Sequence, residues 1–268
     1  MSYNLITLKN QIVEVGKRMY DRGYVASNDG NISAKVDNER VVITPTGVSK
    51  GYLTPDMMVV VDMNGKVING NGKASSEVFM HLQVYRDRPD VGSVCHSHPP
   101  YATGYAVAGI PLDKCVLPEV IIALGNIPIV AYGTPGTDEF YKPVVPLLKD
   151  YDAFLLANHG ALTVGKDVLS AYHKMETLEH FAHIAFVAQQ VGSINTLNKD
   201  QVKKLTDQRE KYGVRTTAGC VTCETEGTCD IHDGKSNSSK FEFNSLTLSE
   251  KDQLINEITD AILKRLNK

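Results

Sequence analysis

The sequence lacks an excess of basic residues, a leader segment and an apolar run of membrane-spanning length. Its 268 residues carry a formal net charge of −3, so no broad basic surface is expected to hold the phosphate backbone of a nucleic acid. No charged-then-apolar stretch opens the chain, and no hydrophobic run approaches the ~20 residues that a bilayer-spanning helix needs. We therefore expect a cytoplasmic protein that has neither a nucleic acid nor a membrane as its partner.

The sequence also lacks the evenly spread cysteines of a secreted disulfide framework. Three of its five cysteines crowd into a short segment as Cys220, Cys223 and Cys229, and His232 follows closely. In a cytoplasmic chain such a cluster favours metal or redox chemistry over structural disulfides. The set has the compactness of a small zinc site, and a flexible, reduced linker is the alternative.

Hydrophobic periodicity predicts alternating helices and strands over residues 1–215. The predicted helices cover residues 4–24, 77–87, 101–107, 138–148, 167–191 and 199–211. The predicted strands cover residues 31–36, 41–44, 57–63, 66–68, 91–98, 127–131 and 153–157. Asn64-Gly65 lies between two of these strands and is typical of a two-residue hairpin turn. This alternation is typical of one α/β domain.

The character of the chain changes after residue 215. Residues 216–245 are rich in Gly, Thr, Ser, Asn and Cys and poor in apolar side chains, which is typical of a linker. Residues 246–268 regain helical periodicity, with Ser249 as the predicted N-cap. One face of this predicted helix is an apolar stripe formed by Leu254, Ile255, Ile258, Ala261, Ile262 and Leu266. Such a stripe beyond a polar linker indicates a binding partner.

Three histidines follow apolar runs in a pattern that predicts a metal site. His96 and His98 end one predicted strand, and the period of two along a strand turns both imidazoles to the same face. His159 ends a second apolar run, so the three rings converge if both strands join one sheet. Three imidazoles and a carboxylate suit zinc. A polar strand surface is the alternative, and spacing does not choose between Glu77 and His81 as the fourth ligand.

Five short motifs together resemble the class II aldolase/adducin family, and within it the L-fuculose-1-phosphate aldolase group. The motifs are Gly30-Asn31, Thr44-Pro45-Thr46-Gly47, Ser75-Ser76-Glu77 with His81, His96-x-His98 and Asn158-His159-Gly160, in the family's order. The resemblance implies a three-layer α/β/α fold around a mainly antiparallel sheet, and a fourfold-symmetric homotetramer with active sites between subunits. It implies Zn²⁺ or another divalent metal, held by Glu77, His96, His98 and His159. His81 is then a neighbour of the metal site.

Several small donors lie in predicted turns or at a predicted helix start. Backbone N–H groups and hydroxyls at such places bind an anion without a basic patch. Ordinary turn and capping chemistry is the alternative for each residue alone. With the resemblance, they predict a site for the phosphate of a sugar phosphate, formed by Gly30, Asn31, Thr46, Gly47, Ser75 and Ser76.

The reaction that the resemblance implies is cleavage of a ketose 1-phosphate to dihydroxyacetone phosphate and an aldehyde such as lactaldehyde. The metal stabilises the enediolate as a Lewis acid, and Glu77 acts first as ligand and then as general base. Tyr212 resembles a C-terminal tyrosine that the family aldolases extend into a neighbouring site. A second family tyrosine is missing, and Glu119 is expected to replace it as proton donor. A surface or interface carboxylate is the alternative for Glu119.

Other activities of the same family stay open at this point. A ribulose-5-phosphate 4-epimerase or a methylthioribulose-1-phosphate dehydratase would share the fold and the metal. Glu77 and the Tyr-Gly-Val-Arg segment that begins at Tyr212 favour the aldolase, whereas Glu119 keeps the dehydratase open. The intact histidine set argues against an adducin-like binding module without enzymatic activity.

The predicted helix over residues 246–268 is similar to the encapsulation peptides that carry enzymes into bacterial microcompartments. Compartments that degrade fucose or rhamnose contain aldolases whose lactaldehyde product is volatile and toxic. The expected partner is therefore a compartment shell or a co-encapsulated protein. A helix that docks on its own tetramer is the alternative.

Overall fold

The computed structural model describes residues 4–214 together with residues 216, 218 and 219. They lie within a compact unit, Met1–Asp230; a second unit, Ile231–Lys268, lies wholly outside the described residues. The predicted metal set of Cys220, Cys223, Cys229 and His232 and the predicted terminal helix lie outside them too. None of the helices in residues 4–214 combines the length and apolarity that a bilayer crossing requires.

Helices and strands alternate along the described chain. The helices are α1 Leu5–Asp21, α2 Val78–Asp87, α3 Pro100–Ala108, α4 Pro118–Ala123, α5 Asp138–Tyr141, α6 Val168–Val191 and α7 Lys199–Thr206. The strands are β1 Asn31–Lys35, β2 Arg40–Ile43, β3 Val59–Asp62, β4 Val67–Asn69, β5 Ser93–Ser97, β6 Ile129–Val130, β7 Ala153–Leu156 and β8 Gly160–Gly165. Short 3₁₀ turns lie at Lys50–Tyr52, Pro55–Met57, Lys142–Leu147 and Arg209–Tyr212.

The eight strands form one sheet in the order β4-β3-β2-β1-β5-β8-β7-β6. Every neighbouring pair is antiparallel except β6 and β7. Helices α1, α3 and α6 pack on one face of the sheet, and α2, α5 and the 3₁₀ turn after α5 pack on the other. The expected three-layer α/β/α fold around a mainly antiparallel sheet is confirmed.

Strand β5 lies at the centre of the sheet and determines which layer faces the predicted metal ligands. Cys95 packs into the α1 and α6 layer, and its Sγ lies 3.6 Å from the Sδ of Met19. Val94 packs into the α2 layer. Because side chains alternate along a strand, His96 points to the same side as Val94. The histidine at the end of β5 therefore faces the start of α2.

Several elements differ from the sequence expectation. The helix predicted over residues 199–211 ends at Thr206, and a separate 3₁₀ turn covers Arg209–Tyr212. Strand β8 was not predicted, because all six of its residues are buried and it shows no alternation of polar and apolar side chains. The short helix α4, which starts at Pro118, was not predicted either. The helix predicted over residues 138–148 is α-helical only as far as Tyr141 and continues as a 3₁₀ turn. Pro143 and Pro146 have no N–H for an α-helical hydrogen bond, which explains the change.

Candidate active site

Three histidine rings converge at the edge of the sheet where β5 ends and β8 begins. The Nε2 atom of His96 lies 3.2 Å from Nε2 of His98 and 3.1 Å from Nε2 of His159. One ring nitrogen from each residue lies within 4.8 Å of the others. His159 reaches this point from the β7–β8 turn, where Asn158 adopts a left-handed conformation with φ of 56°. Such a group of imidazoles can hold a metal ion.

The far side of two of these rings is fixed by hydrogen bonds. Nδ1 of His96 donates to the carbonyl oxygen of Ala161 over 2.8 Å. Nδ1 of His98 donates to Oδ2 of Asp29, 3.0 Å away. With the proton on Nδ1, each Nε2 presents a lone pair toward the common centre, which is the tautomer that a metal ligand needs.

Burial keeps the same two rings neutral. It lowers the pKa of His96 to about 3. Burial, together with the nearby His159, also lowers the pKa of His98. Two neutral imidazoles with converging lone pairs repel each other unless a cation lies between them, so the chemistry of these donors fits a divalent metal.

Glu77 brings a carboxylate to the same centre. It is the N-cap residue of α2, and its side chain does not cap the helix because it turns to the histidines. Oε1 lies 3.1 Å from Nε2 of His159, and Oε2 lies 3.3 Å from Nε2 of His96. Burial favours the neutral acid, but His96, His159 and the Asn31 amide outweigh it and hold the pKa of Glu77 well below its usual range. Glu77 is therefore ionised at neutral pH.

A row of buried side chains supports Glu77 from behind. Nδ2 of Asn31 donates to Oε2 of Glu77 over 2.6 Å, and Oδ1 of Asn31 accepts from Nε2 of His81 over 2.5 Å. Nδ1 of His81 then accepts from the Ser33 hydroxyl at 2.7 Å, which in turn accepts from the hydroxyl of Tyr85 at 2.7 Å. Both nitrogens of His81 are engaged, so it is not a free metal ligand in this geometry.

Ser33, Tyr85 and Asp29 also lie at the site, although the five sequence motifs include none of them. The spacing of the first two carries a signal. Asn31 and Ser33 are two residues apart on β1, and His81 and Tyr85 are four apart on α2. Residues with these spacings share one face of a strand or a helix, so a polar stripe on β1 opposite a polar stripe on α2 is readable from the sequence.

The predicted phosphate donors lie on two adjacent loops. An isolated bridge pairs Pro45 with Ala74, the amide of Thr46 donates to the Lys73 carbonyl over 3.0 Å, and the amide of Ser75 donates to the Thr44 carbonyl over 3.2 Å. Exposure divides the six predicted residues. Thr46, Gly47 and Ser76 are exposed, Gly30 is partly buried, and Asn31 and Ser75 are buried.

Asn31 and Gly30, two of the predicted phosphate donors, have another structural role. The Asn31 amide is engaged by Glu77 and His81, as described above. Gly30 has φ of +72°, and a Cβ there would lie 2.6 Å from Cγ1 of Val25 and 3.0 Å from the His96 carbonyl oxygen. The glycine therefore allows the loop to approach the strand that carries His96.

Glu119 and Tyr212 stand apart from this constellation within the single chain. Glu119 is exposed in the first turn of α4, and Tyr212 is 68% exposed in the last 3₁₀ turn. Among the described residues, no hydrogen bond or ion pair connects either side chain to the three histidines. Their roles in proton transfer stay predictions.

Residues 10–186 match the family model described as the Class II Aldolase and Adducin N-terminal domain. The chain is similar to an L-fuculose phosphate aldolase of Methanococcus maripaludis, with 35% identity over 66% of this chain and 95% of that protein. It is also similar to a 3-oxo-tetronate 4-phosphate decarboxylase of Haemophilus influenzae, with 31% identity over 76% of this chain and 94% of that protein.

Two of the solved structures that resemble this fold are also identical to the chain at more than a quarter of the aligned residues. One is YgbL of Klebsiella pneumoniae, described as a putative aldolase/epimerase/decarboxylase, with a TM-score of 0.71, 31% identity, and coverage of 76% of this chain and 100% of that chain. The other is an L-fuculose 1-phosphate aldolase, with a TM-score of 0.69, 28% identity, and coverage of 76% and 96%.

Proposed function

Because the chain belongs to the class II aldolase and adducin N-terminal domain family, we propose that it is a metal-dependent lyase acting on a ketose 1-phosphate. The proposed substrate is L-fuculose-1-phosphate or a similar deoxyketose 1-phosphate. The products are dihydroxyacetone phosphate and an aldehyde such as lactaldehyde. The observation that carries the proposal is the convergence of the Glu77 carboxylate with three imidazole nitrogens.

The proposed metal is Zn²⁺, with His96, His98, His159 and Glu77 as its ligands. Imidazole nitrogens and a carboxylate oxygen are zinc ligands, and displacement of Glu77 by the substrate would leave three histidines with the open position that a catalytic site needs. When bound, such an ion supplies a Lewis acid for the negative charge of the enediolate.

Side chains and backbone groups of the protein would accept the proton and bind the substrate phosphate. Glu77 is ionised and held by Asn31, so its carboxylate can accept a proton at Oε1 or Oε2. Neutral His81 fixes the orientation of the Asn31 amide. The exposed groups of Thr46, Gly47 and Ser76 would bind the substrate phosphate from the adjacent loops.

The second proton-transfer step is assigned to Glu119, together with Tyr212 reaching in from a neighbouring subunit of a homotetramer. Both side chains are exposed, which leaves them available to a second copy of the chain. Mixing two inactive variants tests this assignment. Tyr212→Phe mixed with Glu77→Gln is expected to regain activity, because some sites then combine an intact Glu77 with an intact Tyr212 from a neighbour. Absence of any regain would count against a shared site.

A decarboxylase is the second candidate function. The similarity to the 3-oxo-tetronate 4-phosphate decarboxylase of Haemophilus influenzae is comparable to that to the aldolase of Methanococcus maripaludis. Loss of CO₂ from a 3-oxo acid leaves an enolate, the same kind of anion that aldol cleavage leaves. One site can therefore stabilise either transition state, and the residues that carry the metal do not separate the two reactions.

A substrate panel separates these activities. Dihydroxyacetone phosphate release would be measured with a coupled assay over several ketose 1-phosphates, and CO₂ release with 3-oxo-tetronate 4-phosphate. Epimerised or dehydrated products of the other family substrates would be followed in parallel. We expect cleavage of a deoxyketose 1-phosphate that stops on addition of a chelator. No cleavage of any ketose 1-phosphate would defeat the aldolase proposal, and CO₂ release alone would replace it with the decarboxylase.

The proposed localisation is the cytoplasm, inside a bacterial microcompartment. This proposal rests on the sequence of residues 246–268, which lie outside the described residues. Residues 246–268 would be fused to a fluorescent protein in cells that build such compartments. Punctate fluorescence is expected, and diffuse fluorescence would contradict targeting.

A further inference from the structure

Lys50 is a buried lysine that none of the sequence motifs includes. It opens the 3₁₀ turn Lys50–Tyr52, and only 1% of its surface is exposed. Its ammonium donates to the carbonyl oxygen of Asn28 over 2.8 Å and to that of Val48 over 2.7 Å. A buried ammonium costs free energy unless its hydrogen bonds are satisfied, so its position at these two carbonyls is specific.

The first of these carbonyls belongs to the loop that reaches the metal ligands. The neighbour of Asn28 is Asp29, whose Oδ1 accepts from the amide of Ala26 over 2.6 Å and whose Oδ2 accepts from Nδ1 of His98. Lys50 thus holds the backbone at Asn28, and the carboxylate of the next residue, Asp29, orients His98.

The second carbonyl belongs to the other loop. Val48 directly follows Thr46 and Gly47, two of the exposed donors proposed for the substrate phosphate. Gly47 has φ of +74°, and a Cβ there would meet nothing within 4 Å. The hydrogen bond at Val48 therefore restrains the loop beside these donors, together with the hydrogen bond from the Thr46 amide to the Lys73 carbonyl and the packing of Val48 on the core.

Helix α1 fixes the backbone of Lys50 itself. A Cβ on Gly16 would lie 2.8 Å from the carbonyl oxygen of Lys50, and a Cβ on Gly51 would lie 2.5 Å from Cγ of Tyr20. The two glycines let the helix and the 3₁₀ turn pack in close contact. The backbone of Lys50 is therefore fixed by close packing against α1, and its side chain holds both loops through the two hydrogen bonds.

We propose that Lys50 is a positioning residue that couples the metal half of the site to its phosphate half, by holding the Asn28 and Val48 carbonyls in a fixed relation. The inference rests on the proposed function for both the metal and the phosphate. Burial lowers the pKa of Lys50 to about 8, partly offset by Asp29 and Glu77. Near neutral pH most of the ammonium is charged and adds a positive field beneath the two loops.

The test measures two affinities of the full-length chain without turnover. Co²⁺ titration followed by visible absorption reports metal binding to the three imidazoles. Thiolate ligands give separate, intense bands, so binding to Cys220, Cys223 and Cys229 would be distinguished from it. Inorganic phosphate binding to the metal-loaded chain is followed by calorimetry. Lys50→Met keeps an unbranched chain and removes the donors, and the exposed Lys66→Met is the matched control.

We expect Lys50→Met to weaken Co²⁺ and phosphate binding by roughly tenfold each, as for loss of a group that orients metal ligands. Lys66→Met should bind both probes as the wild type does. If Lys50→Met does not fold, Lys50→Gln provides a neutral donor that is one atom shorter and should weaken both affinities. A folded Lys50 variant with wild-type Co²⁺ affinity would overturn the inference. Wild-type protein that binds Co²⁺ but no phosphate would instead count against the proposed function.

Discussion

The side-chain amide of Asn31 donates a hydrogen bond to Oε2 of Glu77 over 2.6 Å. The other end of the amide accepts from His81, so the donor and acceptor atoms cannot exchange places without breaking both contacts. Glu77 is therefore held on one side by a neutral, buried amide and faces the histidines on the other. This arrangement leaves the carboxylate ionised and oriented, as both a metal ligand and a general base must be.

Glu77→Gln is expected to separate the two roles proposed for this side chain, metal ligand and general base. The amide keeps one oxygen that can ligate a metal, but it has no basic carboxylate to accept a proton. The variant should retain some metal and lose roughly 10²–10⁴-fold in kcat. Metal content and steady-state rates on the substrate found by the panel would be measured side by side. Near-normal turnover would contradict the role as base, and the exposed Glu39→Gln is the control.

His81→Gln is expected to reduce the acid sensitivity of the fold. Burial lowers the pKa of His81 from 6.5 to about 4 in the folded chain. As pH falls, the unfolded chain therefore protonates His81 before the folded chain does. The contribution of His81 to the free energy of unfolding is fully present above pH 6.5 and is lost between pH 6.5 and 4. Wild-type protein should lose up to roughly 3 kcal/mol from this group over the window, and the variant should not.

Urea unfolding of chelator-treated protein at pH 6.5 and 4.5 measures the effect. The quantity compared is the difference in unfolding free energy between the two pH values, because the substitution also lowers stability at both. The exposed His173→Gln provides a matched control that should keep the wild-type difference. An unchanged difference in His81→Gln would mean that His81 does not carry this linkage.

Asp29→Asn is expected to weaken metal binding without unfolding the loop. When the one oxygen of the asparagine accepts from the amide of Ala26, its NH₂ group lies against Nδ1 of His98 and cannot accept the hydrogen bond from that nitrogen. Loss of a carboxylate that orients a metal-binding histidine typically costs ~10–100-fold in affinity. Co²⁺ titration measures this loss, and the exposed Asp56→Asn should bind as the wild type does. Equal affinities of the two variants would show that Asp29 does not orient His98.

The sequence predicts those residues of the site whose side chains share a face through the regular spacing of a strand. His96 and His98 are two residues apart on a strand, so the face that they share is readable from their spacing alone. The choice between Glu77 and His81 is not, because both fit one helix face. It depends on tertiary contacts. The Glu77 carboxylate reaches His96 and His159. Both ring nitrogens of His81 are instead engaged by Asn31 and Ser33.

The elements and residues that the sequence did not predict are defined by tertiary contacts. Strand β8 has no periodicity to detect because it lies between two neighbouring strands and helices cover both faces of the sheet. Asp29 lies far from His98 along the chain and meets it only through loop packing, and Lys50 contacts the same loop through the Asn28 carbonyl. Polar groups in loops have no repeating pattern, so contacts of this kind leave no periodic signal in the sequence.

Gly160→Ala is expected to disturb the metal centre through close packing alone. A Cβ at this position would lie 2.5 Å from the carbonyl oxygen of Ser97 and 2.6 Å from Cδ2 of His98. Strand β5 is hydrogen-bonded to neighbours on both sides, so relief of the two contacts requires both a shift of the backbone at Gly160 and movement of the His98 ring. Overpacking of this kind costs about 1–3 kcal/mol.

We therefore expect Gly160→Ala to lower both the Tm and the Co²⁺ affinity, the latter by at least about tenfold if the ring leaves the common centre. Gly104→Ala is the matched control, since a Cβ there meets nothing within 4 Å and the residue lies within α3. Alanine favours a helix over glycine by about 1 kcal/mol, so this control should keep its affinity and gain slightly in Tm. A Gly160→Ala protein that binds Co²⁺ like the control would mean that His98 reaches the metal from another rotamer. In that case the close approach of β8 to β5 would serve the fold and not the metal centre.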